Sequence, residues 1–135
     1  MNRVIKFRGK RVDNGWQWAE GDLIHMGKSV YIKTIGYNEH IEVQPSTVGQ
    51  FWTTWDDIEL YDGDVLEAEY VVTQELFAKV TTEKITVRLE LQWRKDWGGF
   101  VFHDRENKTM EHADILALRN VTKHLGNIHD NPELI

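Results

Sequence analysis

Histidine and carboxylate side chains, which can transfer protons or hold a metal ion, lie close together at three places in the chain. They are His103-Asp104, Glu111-His112 with Asp114, and His124 with His129. None of the three follows the His-Glu-x-x-His spacing of a zinc-binding helix or another strict ligand pattern. A polar chain with six histidines places some of them beside acids by chance. We therefore interpret these residues as structural and predict no catalytic residue and no metal site.

Two further carboxylates, Asp62 and Asp64, flank Gly63 in a stretch that predicts a tight turn before a strand. Gly can adopt the positive φ of a sharp turn and Asp hydrogen-bonds to nearby backbone, so the turn accounts for all three residues. A divalent cation would need more oxygen ligands than this pair. The chain also has no phosphate-binding glycine loop and no Gly-x-Ser-x-Gly motif. These observations predict a protein without enzymatic activity and without a cofactor.

The charged residues are unevenly distributed along the chain, whose formal net charge is −6. Residues 34–78 contain no Lys or Arg, whereas five of the first eleven residues are basic. Three of these, Arg3, Lys6 and Arg8, are candidates for contacts with phosphates, aided by aromatic side chains that stack on bases. Nucleic-acid binding is therefore the alternative function. The excess of acidic over basic residues favours a partner other than nucleic acid, because nucleic-acid-binding domains gather basic residues on one face.

Other classes of protein are disfavoured by what the sequence lacks. It has no cysteine, which excludes disulfides and cysteine-ligated metal centres. No apolar run approaches the roughly 20 residues of a membrane-spanning helix. The basic N-terminal segment is not followed by the apolar core of a secretory signal. We expect a protein of the cytoplasm without membrane contact.

The aromatic residues are the strongest indication of a binding surface, since the chain has six tryptophans. Trp55 and Trp97 each lie beside aspartates, so we expect both to be exposed. Exposed aromatic side chains are enriched at protein interfaces. Trp16, Trp18 and Trp93 are expected to fill the core. The exposed pair predicts contact with a protein that carries basic residues, or with a second copy of this chain.

Apolar and polar residues alternate in many short segments, which predicts strands rather than helices. The clearest is residues 85–93, and another is expected over residues 64–72. Gly21-Asp22 predicts a turn, residues 53–57 predict a loop, and residues 73–80 are compatible with helix or loop. Closely spaced short strands with little helix are typical of a small barrel or sandwich.

An ordered set of motifs resembles the YopX-like family, which is encoded largely by bacteriophages and prophages. The set includes Ile5-Lys6-Phe7-Arg8-Gly9-Lys10, Trp18-Ala19-Glu20-Gly21-Asp22-Leu23, residues 43–51, residues 58–66 and residues 125–134. The resemblance implies a mainly-β protein with an N-terminal β region over residues 1–58. It implies an SH3-like barrel with a short tail over residues 59–135. It supplies no activity and no catalytic residues that could be assigned to this chain. Family members usually have a longer, Lys-rich loop where this chain has residues 52–57, which contain no lysine.

Together these observations predict a bacteriophage or prophage accessory protein that acts as a non-enzymatic interaction module in the cytoplasm of the bacterial host. The expected partner is a host or phage protein, or another copy of the chain. Candidate contact residues are Trp55, Trp97, Asp62 and Asp64. The alternative, an SH3-like protein that binds nucleic acid, would use the basic N-terminal residues and the loop aromatics.

Overall fold

The computed structural model describes residues 4–34 and 38–134 of the chain. These residues form antiparallel strands joined by turns and short 3-10 helices, so the prediction of a mainly-β protein with little helix is confirmed. The chain divides into two compact units, Met1–Asp62 and Gly63–Ile135. The predicted boundary between residues 58 and 59 would cut through a strand of the first unit, Ile58–Tyr61.

The first unit contains one sheet of six antiparallel strands, and its order is β4-β3-β2-β1-β5-β6. A 3-10 helix, Pro45–Thr47, precedes β5. The strands are β1 (Phe7–Lys10), β2 (Trp18–Met26), β3 (Ser29–Lys33), β4 (His40–Val43), β5 (Gly49–Trp55) and β6 (Ile58–Tyr61).

An apolar cluster lies where β4 meets the end of β1. Arg11 and Val43 form an isolated antiparallel bridge beside which the Gln44 amide donates to the Lys10 carbonyl at 2.8 Å. Val43 is fully buried and packs with Ala19 and other buried aliphatic side chains of β2 and β3. Burial of this apolar surface stabilises the strand arrangement.

The predicted turn at Gly21-Asp22 is wrong, because β2 runs without interruption from Trp18 to Met26. Gly21 has a φ of +153°, and a Cβ atom there would lie 2.1 Å from the carbonyl oxygen of Lys33. The glycine therefore permits a close approach between neighbouring strands rather than a reversal.

The predicted loop over residues 53–57 is also shorter than expected. Strand β5 continues to Trp55, and only Asp56 and Asp57 form the turn to β6. Both aspartates have positive φ, 47° and 63°. This is the backbone of a two-residue hairpin turn, in which Asp tolerates the left-handed conformation better than most residues.

The second unit contains a five-stranded antiparallel sheet with the order β10-β9-β8-β7-β11. Among the described residues its edge strands β10 and β11 do not pair, so the predicted barrel is corrected to an open sheet. The strands are β7 (Asp64–Leu76), β8 (Lys79–Arg94), β9 (Gly99–Asp104), β10 (Thr109–His112) and β11 (Val121–Asn127). The 3-10 helices are Lys95–Trp97, Ile115–Asn120 and Pro132–Leu134.

The predicted turn before β7 is present. Gly63 has a φ of +96° and its amide donates to the Leu91 carbonyl at 2.7 Å, after which β7 begins at Asp64. Strand β7 then continues to Leu76, four residues beyond the predicted end at Val72. Residues 73–80, for which the sequence was compatible with either helix or loop, therefore form strand and turn.

Candidate functional site

The longest hairpin of the second unit extends beyond its sheet. Strands β7 and β8 pair continuously from Val65 opposite Glu90 to Leu76 opposite Lys79. Strand β11 pairs with β7 only as far as Ala68, and β9 pairs with β8 only from Glu90 onward. Residues 69–86 therefore form a two-stranded projection, here called the arm, whose outer edges pair with no described strand. Eight residues of strand correspond to a length of about 27 Å.

The tip of the arm is a two-residue turn, Phe77-Ala78, in which both residues have positive φ, 53° and 62°. Such turns strongly prefer Asn-Gly or Asp-Gly, because other residues are strained in the left-handed region. The Phe77 side chain is 95 % exposed. The most exposed aromatic residue among those described thus occupies a position whose backbone disfavours it.

One face of the arm continues the buried face of the sheet. Leu66 and Ala68 are fully buried, and Tyr70 and Val72, which follow on the same face, are half-buried. Leu76 is 67 % exposed on that face, because neighbouring strands no longer cover it. Directly opposite residues of paired strands share a face. The apolar face of the sheet therefore extends past the body of the unit into solvent.

Tyr70 stands where the arm leaves the sheet. Burial raises the pKa of its phenol above the ordinary 10.0, and the nearby carboxylates of Glu111 and Asp104 raise that pKa further. All three effects disfavour the ionised phenolate, so Tyr70 stays neutral and contributes its apolar ring to the base of the arm.

The opposite face of the sheet carries a cleft of about 340 Å³, lined partly by Glu67, Arg88 and His103. The buried carboxylate of Glu90 accepts a hydrogen bond from the Arg105 guanidinium at 2.8 Å and another from the Gln92 amide. These two donors hold the carboxylate in an internal network. The network supplies hydrogen-bond donors to a carboxylate that lies away from solvent.

Asp104 and Glu111, two of the acids singled out in the sequence, both lie near the Tyr70 phenol. The carboxylate of Asp104 accepts from the backbone and side chain of Asn107, and that of Asp114 accepts from the Leu116 amide. Among the described residues, no three His, Asp or Glu side chains are grouped so as to hold a metal ion.

The basic residues of the N-terminal segment make contacts within the first unit. The guanidinium carbon of Arg8 lies 4.7 Å from the centre of the Trp18 ring and 4.8 Å from that of Tyr61, and the side chain is buried. The Lys6 ammonium pairs with the Glu59 carboxylate and lies over an aromatic ring. The predicted phosphate contact at Arg3 lies outside the described residues.

The tryptophans are placed differently from expectation. Trp55 and Trp97 are half-buried, and the edge of the Trp97 ring contacts His112 at 4.7 Å between centres. The expectation that Trp16 and Trp93 fill the core is wrong, since they are 73 % and 41 % exposed. Trp16 lies in the turn that precedes β2.

Asp62 and Asp64, which flank Gly63 in the turn before β7, have separate environments. Asp62 is half-buried, whereas Asp64 is fully buried with its carboxylate 3.4 Å from the His124 ring nitrogen. A side chain without exposed surface cannot contact a partner, so Asp64 supports the fold. In the second unit the structure presents a different surface, the arm.

The arm has one signal in the sequence. Residues 64–97 contain neither Gly nor Pro and are rich in Val, Thr and Ile. Such a run is compatible with two long strands, but its turn, Phe77-Ala78, has none of the residue types that mark a hairpin. Because of these turn residues, the hairpin could not be predicted from the sequence.

Comparison with protein-family models, with curated proteins and with solved structures finds no match to this chain. The resemblance to YopX-like proteins therefore stays a prediction. In the described part of the chain, no helix has the length and apolar character needed to cross a membrane.

Proposed function

We propose that the protein is a bacteriophage or prophage accessory protein that acts as a non-enzymatic protein-interaction module, and that the arm is its contact surface. The observation that carries this proposal is the exposure of Phe77 at the tip of the arm, at 95 %. Removing a Phe side chain from water contributes about 1.5–3 kcal/mol. A partner protein with a pocket that fits the Phe77 ring would remove this side chain from water.

The backbone of the turn supports the same interpretation. Phe77 and Ala78 both adopt the left-handed conformation, which costs roughly 1–2 kcal/mol per residue that is not glycine. A residue that weakens its own turn and buries nothing in the isolated chain is expected where function outweighs local stability.

Further apolar side chains extend the surface. Val71 and Val80 are 62 % and 60 % exposed on one face of the arm, and Leu76 and Ile85 are 67 % and 38 % exposed on the other face. Aromatic anchors surrounded by smaller apolar contacts are typical of protein-binding surfaces. The partner is therefore expected to be a protein with an apolar groove or a strand edge.

The nucleic-acid alternative has weaker support. It depends on cationic side chains that reach phosphates, but Arg8 is buried between two rings and Lys6 is paired with Glu59. The arm itself contains two lysines and three glutamates, which does not form a basic surface.

The proposal is tested by affinity capture from a bacterial host lysate, with and without nuclease, using wild type and two variants. Phe77→Ser is expected to reduce the captured protein at least tenfold, whether or not nuclease is present. Trp16→Ser is the matched control, because it removes a 73 % exposed aromatic side chain that lies outside the arm. Equal capture by both variants, or loss of all captured protein on nuclease treatment, would overturn the proposal.

A further inference from the structure

The two edges of the arm differ in how well they are protected against strand pairing. On the β7 side, residues 70–74 (Tyr-Val-Val-Thr-Gln) carry no charge, no Gly and no Pro. On the β8 side, Lys79, Glu83 and Lys84 lie within six residues. Charged side chains, lysine above all, protect exposed strand edges from pairing. The β7 edge of the arm is the unprotected one.

The sequence of this edge is complementary to itself. When two copies are antiparallel and centred on Thr73, Thr73 faces its counterpart, Val72 faces Gln74, and Tyr70 faces Leu76. A two-fold axis normal to the sheet places the same face of both arms on the same side of the joined sheet. The apolar residues of the two copies therefore lie on one side. The remaining opposite pair is Val71 with Glu75.

Neighbouring registers are less favourable. Centring on Val72 places Glu69 opposite Glu75 twice, and like charges directly opposite each other are destabilising. Centring on Gln74 keeps the charges apart but shortens the overlap, because the strand ends at the turn after Leu76. The register centred on Thr73 is therefore preferred.

We infer that the partner that pairs with the β7 edge of the arm is a second copy of this chain. The two arms then form a four-stranded sheet in the order β8-β7-β7-β8. The inference rests on the proposed function and adds the identity of the partner. In the register centred on Thr73, no two charged residues of the two β7 strands lie directly opposite each other, so the pairing has no direct like-charge contact.

In this arrangement the apolar face becomes continuous across the two copies. Tyr70 and Val72 of one copy lie beside Leu76 and Gln74 of the other, and Ile85 flanks Tyr70 on the neighbouring strand. The unpaired amide and carbonyl groups of both β7 edges also gain partners, as in other cases of strand addition.

The absence of cysteine from the chain allows a direct test. Thr73→Cys places a single thiol on the proposed two-fold axis, where opposite Cα atoms are about 4.5–5.5 Å apart, within the range of about 4.4–6.8 Å that a disulfide spans. Thr82→Cys is the matched control, because Thr82 lies directly opposite Thr73 on β8 and is likewise exposed. In the proposed sheet its two counterparts are three strand spacings apart, about 14 Å.

With oxidised glutathione as oxidant, Thr73→Cys is expected to become a disulfide-linked dimer on a non-reducing gel, while Thr82→Cys stays monomeric. Wild type is expected to sediment at twice the monomer mass, and Val72→Lys at the monomer mass with an unchanged far-ultraviolet circular dichroism spectrum. Cross-linking of Thr82→Cys, or of neither variant, would overturn the inference.

The failures of the two proposals can be told apart. A monomeric chain that loses a host protein on Phe77→Ser contradicts the second copy as partner and leaves the arm as contact surface. A dimer that persists in Val72→Lys contradicts the pairing of the two arms, because the contact would then lie outside the β7 edge. Equal capture of a host protein by Phe77→Ser and Trp16→Ser contradicts the arm as contact surface.

Discussion

Arg8 stabilises the first unit through its two aromatic neighbours. Its guanidinium lies between the Trp18 and Tyr61 rings, both less than 5 Å from the guanidinium carbon. A cation over an aromatic face contributes about 0.5–1 kcal/mol when exposed and about 2 kcal/mol when desolvated. Because Arg8 is buried, the larger figure applies, and neutralising this residue would remove stability before it could remove a phosphate contact.

Gly21 provides the sharpest prediction at the scale of a residue. In Gly21→Ala, the added Cβ would lie 2.1 Å from the Lys33 carbonyl oxygen, at a φ of +153°. We expect the free energy of unfolding in urea to fall by about 3 kcal/mol, from the steric clash and the strained backbone together.

Gly27→Ala is the control for this prediction. Gly27 also has a positive φ, +63°, but a Cβ atom there meets nothing within 4 Å. Only the backbone strain applies, so the expected loss is about 1 kcal/mol. Equal losses in the two variants would show that the close approach of Gly21 to Lys33 has no energetic weight.

At the scale of the element, the arm combines long strands with an unfavourable turn. Its strands are rich in β-branched residues, which favour extended backbone, while the turn residues Phe77 and Ala78 are both strained. Replacing the turn residues by ones that favour positive φ is therefore expected to raise the stability of the hairpin and to weaken binding of the partner.

The double substitution Phe77→Asn with Ala78→Gly separates these two properties. Asn-Gly is the preferred pair for a turn with two positive φ angles, so the melting temperature is expected to stay the same or rise. Capture of the partner protein is expected to fall as far as in Phe77→Ser, because the aromatic anchor is lost in both. A variant that is more stable and still captures its partner would show that Phe77 makes no contact.

At the scale of the whole molecule, each unit has its own sheet and its own buried residues. In the second unit these include Val65, Leu66, Leu91 and Val101, each no more than 1 % exposed. Burial of this order is the main stabilising contribution in a small domain. We therefore predict that residues 63–135 fold without the first unit.

The measurement is thermal unfolding of that fragment, followed by circular dichroism. A single cooperative transition is expected, and Leu91→Ala in the same fragment should lower its midpoint strongly, because a buried Leu→Ala change costs about 2–5 kcal/mol. A gradual loss of signal without a transition would show that the second unit depends on the first.

Local residue patterns determined much of the strand content of this protein. Alternation of apolar and polar residues located the strand at residues 85–93, and Asp62-Gly63 located the turn before β7. These features depend on backbone preferences and side-chain periodicity, which are encoded within a few residues. The same local reasoning erred at Gly21, where the glycine serves a contact with a strand more than ten residues away.

Exposure was decided by the tertiary structure alone. Asp62 and Asp64 have the same type and share a turn, yet Asp64 is fully buried and Asp62 is not. Phe77 is exposed because β9 and β11 end before they reach the arm. Periodicity indicates which residues share a face, but whether a neighbouring strand covers that face depends on partners distant in the chain. The sequence by itself therefore determined the strands, and the fold determined which surface is left for a partner.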